Sequence, residues 1–148
     1  MALVMSMAGV IMVRDFMTQD VKTVGIDATI EEAVQKMNKF AIGSVVVVDT
    51  ERRKPLGIVT ERDILRLVEQ YPEPLVLKVK QVMSQPLIST DSDTSIEEAA
   101  RLMVKNRIKR LPVVENDRLV GIVTSSDVMS TSPKLIGLIM GPPKAKET

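Results

Sequence analysis

The second half of the sequence is a diverged copy of the first. Residues 13–48 align with residues 79–114 without a gap, and the run Ile-Glu-Glu-Ala at 30–33 recurs at 96–99. After a two-residue difference in the next loop, the motif Gly-Ile-Val-Thr-x-x-Asp ends both copies. Two copies are too few for a solenoid. We therefore expect two halves that pack on each other as a pseudo-symmetric pair.

Each copy contains a helix whose start and buried face are visible in the sequence. Thr29 is followed three residues later by Glu32, and Ser95 by Glu98, which predicts a capping box at both helix starts. Apolar residues then recur at helical spacing and predict one buried face on each helix. The predicted buried positions are Ile30, Ala33, Val34 and Met37 in the first copy and Ile96, Ala99, Ala100 and Met103 in the second.

Short strands flank each of these helices. Residues 21–24 and 87–90 are brief extended segments, and the apolar runs at 44–49 and 111–115 predict strands covered on both faces. Pro112 indicates a sheet edge or a strand start. Polar turns lead from these runs to the motif strands, which predicts a hairpin in each copy. The resulting order is β-α-β-β-α, an α+β fold with α/β-type layers.

The repeated motif predicts a buried strand that ends at a capped helix. Gly57 and Gly121 are expected to let the backbone turn sharply into the strand, and the Ile-Val pair suits burial. Thr60 and Thr124 stand at helix N-caps, with an aspartate three residues on. A helix N-terminus with a hydroxyl and a carboxylate can bind a sugar-phosphate, although a well-capped helix explains the same residues.

Proline and composition divide the chain. The run Tyr-Pro-Glu-Pro at 71–74 ends the first closing helix. The apolar N-terminus lacks an early basic region and is too short to span a bilayer, so we expect a strand or helix at the domain edge. Residues 134–140 predict a further helical turn or a returning strand. The predicted parts are an N-terminal extension (1–12), repeat 1 (13–70), a linker (71–78), repeat 2 (79–131), and a C-terminal extension with a loose tail (132–148).

Composition excludes several functions. The 148-residue chain has no cysteine and no histidine, which excludes disulfides and thiolate metal sites and removes the commonest catalytic base. Its formal net charge of +1 gives no general attraction to nucleic acid or anionic membranes. We therefore expect a cytoplasmic protein that is not an enzyme and holds no metal.

The order of elements and the duplicated motif resemble the cystathionine-β-synthase (CBS) domain, a tandem pair of which is called a Bateman module. The resemblance covers residues 13–129. It implies two β-α-β-β-α repeats packed sheet to sheet, with clefts that bind adenosine-containing ligands such as AMP, ADP, ATP or S-adenosylmethionine. The implied function is regulatory sensing, with AMP as the first choice of ligand and no obligatory cofactor. The effector protein that would respond to the sensor is unknown.

The resemblance also assigns residues to two clefts. In the family, the carboxylate at the end of the motif accepts hydrogen bonds from ribose, and the hydroxyl three residues earlier contacts ribose or phosphate. An ionised carboxylate that accepts two hydroxyl groups makes strong, charge-assisted bonds. The first set implied is Thr60, Arg62, Asp63, Leu87, Ile88, Ile108, Lys109 and Arg110. The second set is Val21, Lys22, Ile42, Gly43, Ser44, Thr124, Ser126 and Asp127.

The two sets differ in charge. Lys109 and Arg110 occupy positions similar to the family's phosphate-contacting cations, and Arg62 adds a second guanidinium fork. The second set has Lys22 as its one obvious cation. We therefore expect unequal sites, with a phosphorylated ligand favouring the first set.

Other interpretations of the same residues remain. Asp63 and Asp127 also suit the N-terminal end of a helix dipole. The basic residues between Lys105 and Arg110 suit a solvated helix end, or a nucleic-acid-binding surface, which neutral charge and the near absence of aromatic residues disfavour. A ligand-free module that dimerises a partner is a third interpretation.

The resemblance further implies a homodimer, because CBS pairs commonly associate through helix faces into a disk of four repeats. An apolar face on the first closing helix is a candidate seam. Its residues are Ile64, Leu65 and Val68, and the apolar termini are the other candidates.

Replacing Arg110 with alanine tests the phosphate assignment. Arg110→Ala should weaken binding of AMP or ATP much more than binding of adenosine, because only the nucleotides carry phosphate oxygens for a guanidinium to pair. Dissociation constants for the three compounds provide the measurement. Equal losses for nucleotide and nucleoside would remove the phosphate role.

Overall fold

The computed structural model describes residues 10–141, which form two compact units. The first unit comprises Asp20–Ile88 and the turn Asn116–Leu119. The second unit comprises residues 10–19, Ser89–Glu115 and residues 120–141. The expectations for residues 1–9 and for the last seven residues lie outside the described part of the chain.

The first unit is built on a three-stranded sheet. Its strands are β1 (Thr23–Gly25), β2 (Ser44–Val48) and β3 (Pro55–Thr60), with β1 parallel to β2 and β2 antiparallel to β3. All five residues of β2 are buried, which confirms the prediction of a strand covered on both faces. Helix α1 (Ile30–Phe40) connects the parallel strands, and helix α2 (Glu61–Gln70) follows β3.

The second unit follows the same order but lacks the first strand, so its sheet has two strands. It contains helix α3, the paired strands β4 and β5 apart from the turn Asn116–Leu119, which belongs to the first unit, and the short helices α4 and α5. Asn116 and Asp117 both have positive φ, as a tight two-residue hairpin turn requires. Residues 136–140 form a helix, so the helical alternative for the C-terminal extension is the observed one. The bounds are Ile96–Asn106 (α3), Arg110–Glu115 (β4), Arg118–Thr124 (β5), Ser125–Thr131 (α4) and Ile136–Met140 (α5).

Each unit has its own hydrophobic core, and the predicted helix faces supply much of it. Seven of the eight predicted helix positions are buried, and the eighth, Val34, is partly buried against the same core. One expected capping box is incomplete. Ser95 accepts the Glu98 amide at 3.1 Å, but the Glu98 carboxylate lies 3.8 Å from Arg101 and does not return to the Ser95 amide.

The strand expected at residues 87–90 is reduced to a single parallel bridge between Thr90 and Val113. In the first repeat, the amide of Val46 donates to the carbonyl of Lys22 at 3.2 Å. The aligned position in the second repeat is Pro112, which has no amide hydrogen to donate. The ladder therefore stops one hydrogen bond short of Ile88.

The segment at the start of each repeat packs in the unit formed mainly by the other repeat. Thr18, from the start of repeat 1, pairs with Ile122 in the second unit, and Ser84, from the start of repeat 2, pairs with Ile58 in the first. Both pairs exchange two backbone hydrogen bonds. The compact units therefore cut across the sequence repeats.

These exchanged segments explain the motif glycines, for which the expectation of a sharp turn is wrong. Gly57 and Gly121 lie inside β3 and β5, and neither is among the described residues with positive φ. A Cβ at Gly121 would lie 2.5 Å from the sulfur of Met17, and one at Gly57 would lie 2.7 Å from the sulfur of Met83. Glycine suits both positions because a methionine side chain packs directly against the strand backbone, and at Gly57 the backbone carbonyl of Ser84 also leaves no room for a Cβ.

Within residues 10–141, every helix is too short or too polar to cross a lipid bilayer.

Gly57→Ala should lower the free energy of unfolding by about 1–3 kcal/mol, because the added methyl group would overlap Met83 and the backbone carbonyl of Ser84 at 2.8 Å. Urea denaturation followed by circular dichroism measures this loss. Gly137→Ala is the matched control, since a Cβ there meets no atom within 4 Å and alanine favours the helix by about 0.5–1 kcal/mol. Equal stability of the two variants would contradict the packing role of Gly57.

Candidate functional site

Helices α2 and α4 begin at complete capping boxes. The Thr60 amide donates to Asp63 Oδ2 at 2.9 Å, and the Asp63 amide donates to Thr60 Oγ1 at 3.4 Å. The corresponding distances for Thr124 and Asp127 are 2.9 Å and 3.1 Å. The helix-capping interpretation of both aspartates is therefore confirmed.

Helix capping occupies only one oxygen of each aspartate carboxylate. Every hydrogen bond accepted by Asp63 and Asp127 from a described residue goes to Oδ2, so Oδ1 has no partner within residues 10–141. Both side chains are half-buried. Each aspartate can thus hold its helix start in place with one oxygen and accept a ligand hydroxyl with the other.

In the first unit, the start of β2 lies beside the start of α2. Ser44 pairs with Thr60 across the two antiparallel strands, and the Glu61 amide donates to the Gly43 carbonyl at 3.0 Å. Gly43 and Ser44 belong to the second predicted set, whereas Thr60 belongs to the first. The unit therefore brings together residues that the sequence assigned to different sets.

The second unit shows the equivalent arrangement. The Ser125 amide donates to the Lys109 carbonyl at 2.9 Å, which ties the start of β4 to the start of α4. Lys109 and Arg110, from the first predicted set, thus accompany Thr124 and Asp127 from the second. Both predicted sets take members from both repeats, and the assignment of one ligand to each set remains a prediction.

The apolar members of the sets serve partly as core. Ile42 packs against the core of the first unit and Ile108 against that of the second. Val21 and Leu87 are half-buried, and Ile88 is exposed.

The second unit carries a cluster of basic side chains at the junction of α3 and β4. No residue of this cluster makes an ion pair with another described residue. Arg107 occupies the C-cap of α3 with φ 55°, a left-handed conformation. The aligned positions of the first repeat hold one lysine and three uncharged residues. The cluster comprises Lys105, Arg107, Lys109 and Arg110.

Lys22, the one obvious cation of the second set, contacts two residues outside that set. Its ammonium nitrogen lies 2.7 Å from Asp20 Oδ2 and 4.0 Å from the centre of the Phe40 ring. Sequence reasoning missed Asp20 and Phe40. The spacing of Asp20 and Lys22 was an available signal, because residues two apart on an extended chain point to the same side. Phe40 contacts Lys22 only through the fold.

An open pocket of about 500 Å³ lies in the first unit, at the carboxyl ends of the parallel strands β1 and β2. None of the predicted site residues lines it. Its charged residues are Glu32, Lys36, Asp49 and Arg53, and Lys36 donates to the Thr23 carbonyl at 2.6 Å. Nowhere in residues 10–141 do three acidic side chains gather closely enough to hold a metal ion.

Comparison with known proteins decides the family. The model of the CBS domain matches residues 13–70 and 79–134, one match for each repeat. This chain belongs to the CBS-domain family. The predicted family and the predicted mixed fold of two CBS repeats are thereby confirmed.

The chain spans only part of the first relatives it matches. An uncharacterized protein of Methanopyrus kandleri is 41% identical over 82% of this chain and 62% of its own length. Inosine-5'-monophosphate dehydrogenase of Methanocaldococcus jannaschii is 39% identical over 75% of this chain, which corresponds to 21% of the dehydrogenase.

Two solved CBS structures are informative about ligands and assembly. CBSX2 in complex with AMP has a TM-score of 0.72 and 26% identity, over 84% of this chain and 97% of its own. A hexameric CBS-CP12 protein from bloom-forming cyanobacteria has a TM-score of 0.76 and 30% identity, over 92% of this chain and 77% of its own.

Proposed function

We propose that this CBS-pair protein is a cytoplasmic regulatory sensor that binds adenosine-containing ligands and catalyses no reaction. AMP is the first choice, and ADP, ATP and S-adenosylmethionine belong to the same class. The AMP complex of CBSX2 supports this choice. The feature of this chain that carries the proposal is the free Oδ1 of two half-buried, helix-capping aspartates.

In this proposal, each ligand is held at both ends. Asp63 in the first set and Asp127 in the second accept ribose hydroxyl groups through Oδ1, with the neighbouring threonine contacting ribose or phosphate. Lys109 and Arg110 bind the phosphate of the ligand in the first set, since neither is neutralised by a described carboxylate. Arg62, which is also free of such a partner, contributes a further fork.

To signal to an effector protein, the module must have two conformations with different affinities for the ligand. A ligand that binds both conformations equally well does not shift the equilibrium between them. A protein that senses a ligand without converting it needs no catalytic base, which agrees with a chain that contains no histidine and no cysteine.

Asp63→Asn separates ligand binding from helix capping. Asparagine retains a carbonyl oxygen for the cap but loses the charge, so AMP should bind about tenfold more weakly, a loss typical of a charge-assisted hydrogen bond. The increase in melting temperature caused by AMP should shrink accordingly. The same thermal-shift panel should include ADP, ATP, adenosine and S-adenosylmethionine.

Glu32→Gln is the matched control, because Glu32 forms the same capping box at α1 and belongs to neither predicted set. Its AMP response should equal that of the wild-type protein. A wild-type protein whose melting temperature responds to none of the adenosine compounds would contradict the proposed function and favour a ligand-free dimerisation module.

We also propose that the protein forms a homodimer through the outer face of α2. Leu65 is 71% exposed and Val68 is 62% exposed, which is high for apolar side chains on a helix. Ile64, the third residue of the expected seam, packs against the core of the first unit instead. The hexameric relative supports self-association in this family.

Leu65→Glu combined with Val68→Glu should convert a dimer to a monomer, because two carboxylates on the seam of a two-fold dimer meet their own copies. Analytical ultracentrifugation measures the mass. Val104→Glu places a carboxylate at another exposed apolar position, on α3, and should leave the dimer intact. A wild-type monomer, or dissociation by the control, would contradict the seam.

A further inference from the structure

We infer that the open pocket of the first unit binds a free α-amino acid in its zwitterionic form. The pocket has a volume of about 500 Å³ and lies where the parallel strands β1 and β2 end. Small-molecule sites commonly occupy about 300–1,000 Å³, and in α/β sheets they lie outside the carboxyl ends of the strands. None of the residues proposed to bind a nucleotide lines this pocket, so its ligand is a separate one.

The length of β2 separates the pocket from the residues of the first unit that are proposed to bind a nucleotide. Gly43 and Ser44 stand at the start of the strand, whereas Val48 and Asp49, which line the pocket, stand at its end. At about 3.3 Å per residue, the two ends of β2 are about 13 Å apart. A ligand the size of an amino acid at the carboxyl end therefore leaves the start of the strand open.

The pocket is lined by side chains of both charges. Lys36 and Arg53 supply the positive charges, and Glu32 and Asp49 supply the negative ones. None of the four makes an ion pair within residues 10–141, so the opposite charges do not neutralise each other by contact. A simple anion bound here would meet two carboxylates, and a simple cation would meet an ammonium and a guanidinium group. A ligand that carries one charge of each sign avoids both repulsions.

Local hydrogen bonds orient two of these groups without saturating them. Lys36 donates one hydrogen to the Thr23 carbonyl at 2.6 Å and retains two further N–H groups. Asp49 accepts the Glu51 amide at 2.9 Å through Oδ1, and its Oδ2 has no partner among the described residues. Lys36 and Arg53 are therefore assigned to the carboxylate of the ligand, and Asp49 is assigned to its ammonium group.

Arg53 is placed by a loop that is two residues longer than its counterpart in the second repeat. Its φ of 57° is left-handed, and its amide donates to the Asp49 carbonyl at 2.7 Å. Thr50, at the start of the loop, packs so close to β1 that a Cβ at Gly25 would lie 2.6 Å from its methyl carbon. The loop is therefore seated against the strand ends that form the pocket.

The second unit lacks both the lysine and the open aspartate of this pocket. Leu102 stands at the position aligned with Lys36 and packs against the core of its own unit. Glu115, aligned with Asp49, accepts a hydrogen bond from the buried Ser92. Because the second unit folds with these substitutions, the fold itself does not require the unpaired charges of the first.

Backbone amide NMR of the full chain, titrated with each of the twenty standard L-amino acids in turn, tests this site. At least one amino acid should shift the amides of Gly25 and Thr50 saturably, and more than that of Gly43 at the start of β2. Its α-hydroxy acid lacks the ammonium group, and its amide lacks the carboxylate. Each of these analogues should bind about tenfold more weakly than the amino acid, since each loses a charge-assisted hydrogen bond.

Arg53→Asn removes the guanidinium group and keeps a residue that tolerates positive φ. It should weaken binding of the same amino acid about five- to tenfold, the scale of a partly exposed charge-assisted hydrogen bond. Arg52→Asn is the matched control, because it removes the same charge from an exposed neighbour that does not line the pocket. Lys36→Met should weaken binding similarly, and Lys39→Met, on the same helix but outside the pocket, should not.

The outcomes are distinct. Failure of all twenty amino acids to shift Gly25 and Thr50 would overturn the assignment of this pocket. Equal binding of the hydroxy acid or of the amide would also overturn it, since the pocket would then recognise a single charge. Equal losses in Arg53→Asn and Arg52→Asn would overturn it as well, because the effect would then reflect net charge. The thermal-shift panel with adenosine compounds tests the proposed nucleotide function separately, so failure of one proposal leaves the other standing.

Discussion

The fold depends on one repeated contact, in which a methionine from the start of one repeat packs against a glycine in the motif strand of the other. Met83 covers Gly57, and Met17 covers Gly121. The same leading segments bury Val79 in the core of the first unit and Val13 in that of the second. Neither repeat therefore has a complete core from its own residues, and loss of the other repeat's leading segment would leave a core position unfilled.

Duplication gave the two units the same backbone plan, and their differences lie where the plan tolerates change. Pro112 shortens the second sheet by one hydrogen bond without disturbing the helix cap that follows β5. The positions at the start of β2 and β4 hold Gly43 and Ser44 in one unit and Lys109 and Arg110 in the other. These element ends carry little of the hydrophobic core, so their charge can diverge while the carboxylate at the cap is retained.

The aspartates illustrate how one side chain serves both stability and binding. A capping box needs a single carboxylate oxygen, so the second oxygen of Asp63 and Asp127 remains open while the helix start is fixed. Because the cap holds the carboxylate in place, a ligand hydroxyl would meet an acceptor that is already oriented. Preorganisation of this kind lowers the entropic cost of binding.

The sequence by itself determined the duplication, most of the order of elements, the capping boxes of α2 and α4, and the inward faces of α1 and α3. These features follow from contacts between residues close in the chain, such as Thr60 with Asp63, or from periodicity that a single helix imposes. Tertiary structure decided the rest. The role of Gly57 depends on Met83, the contact that Lys22 makes with an aromatic ring depends on Phe40, and the neighbour of Thr60 is Ser44. Those partners are separated along the chain, and only the folded backbone brings them within contact distance.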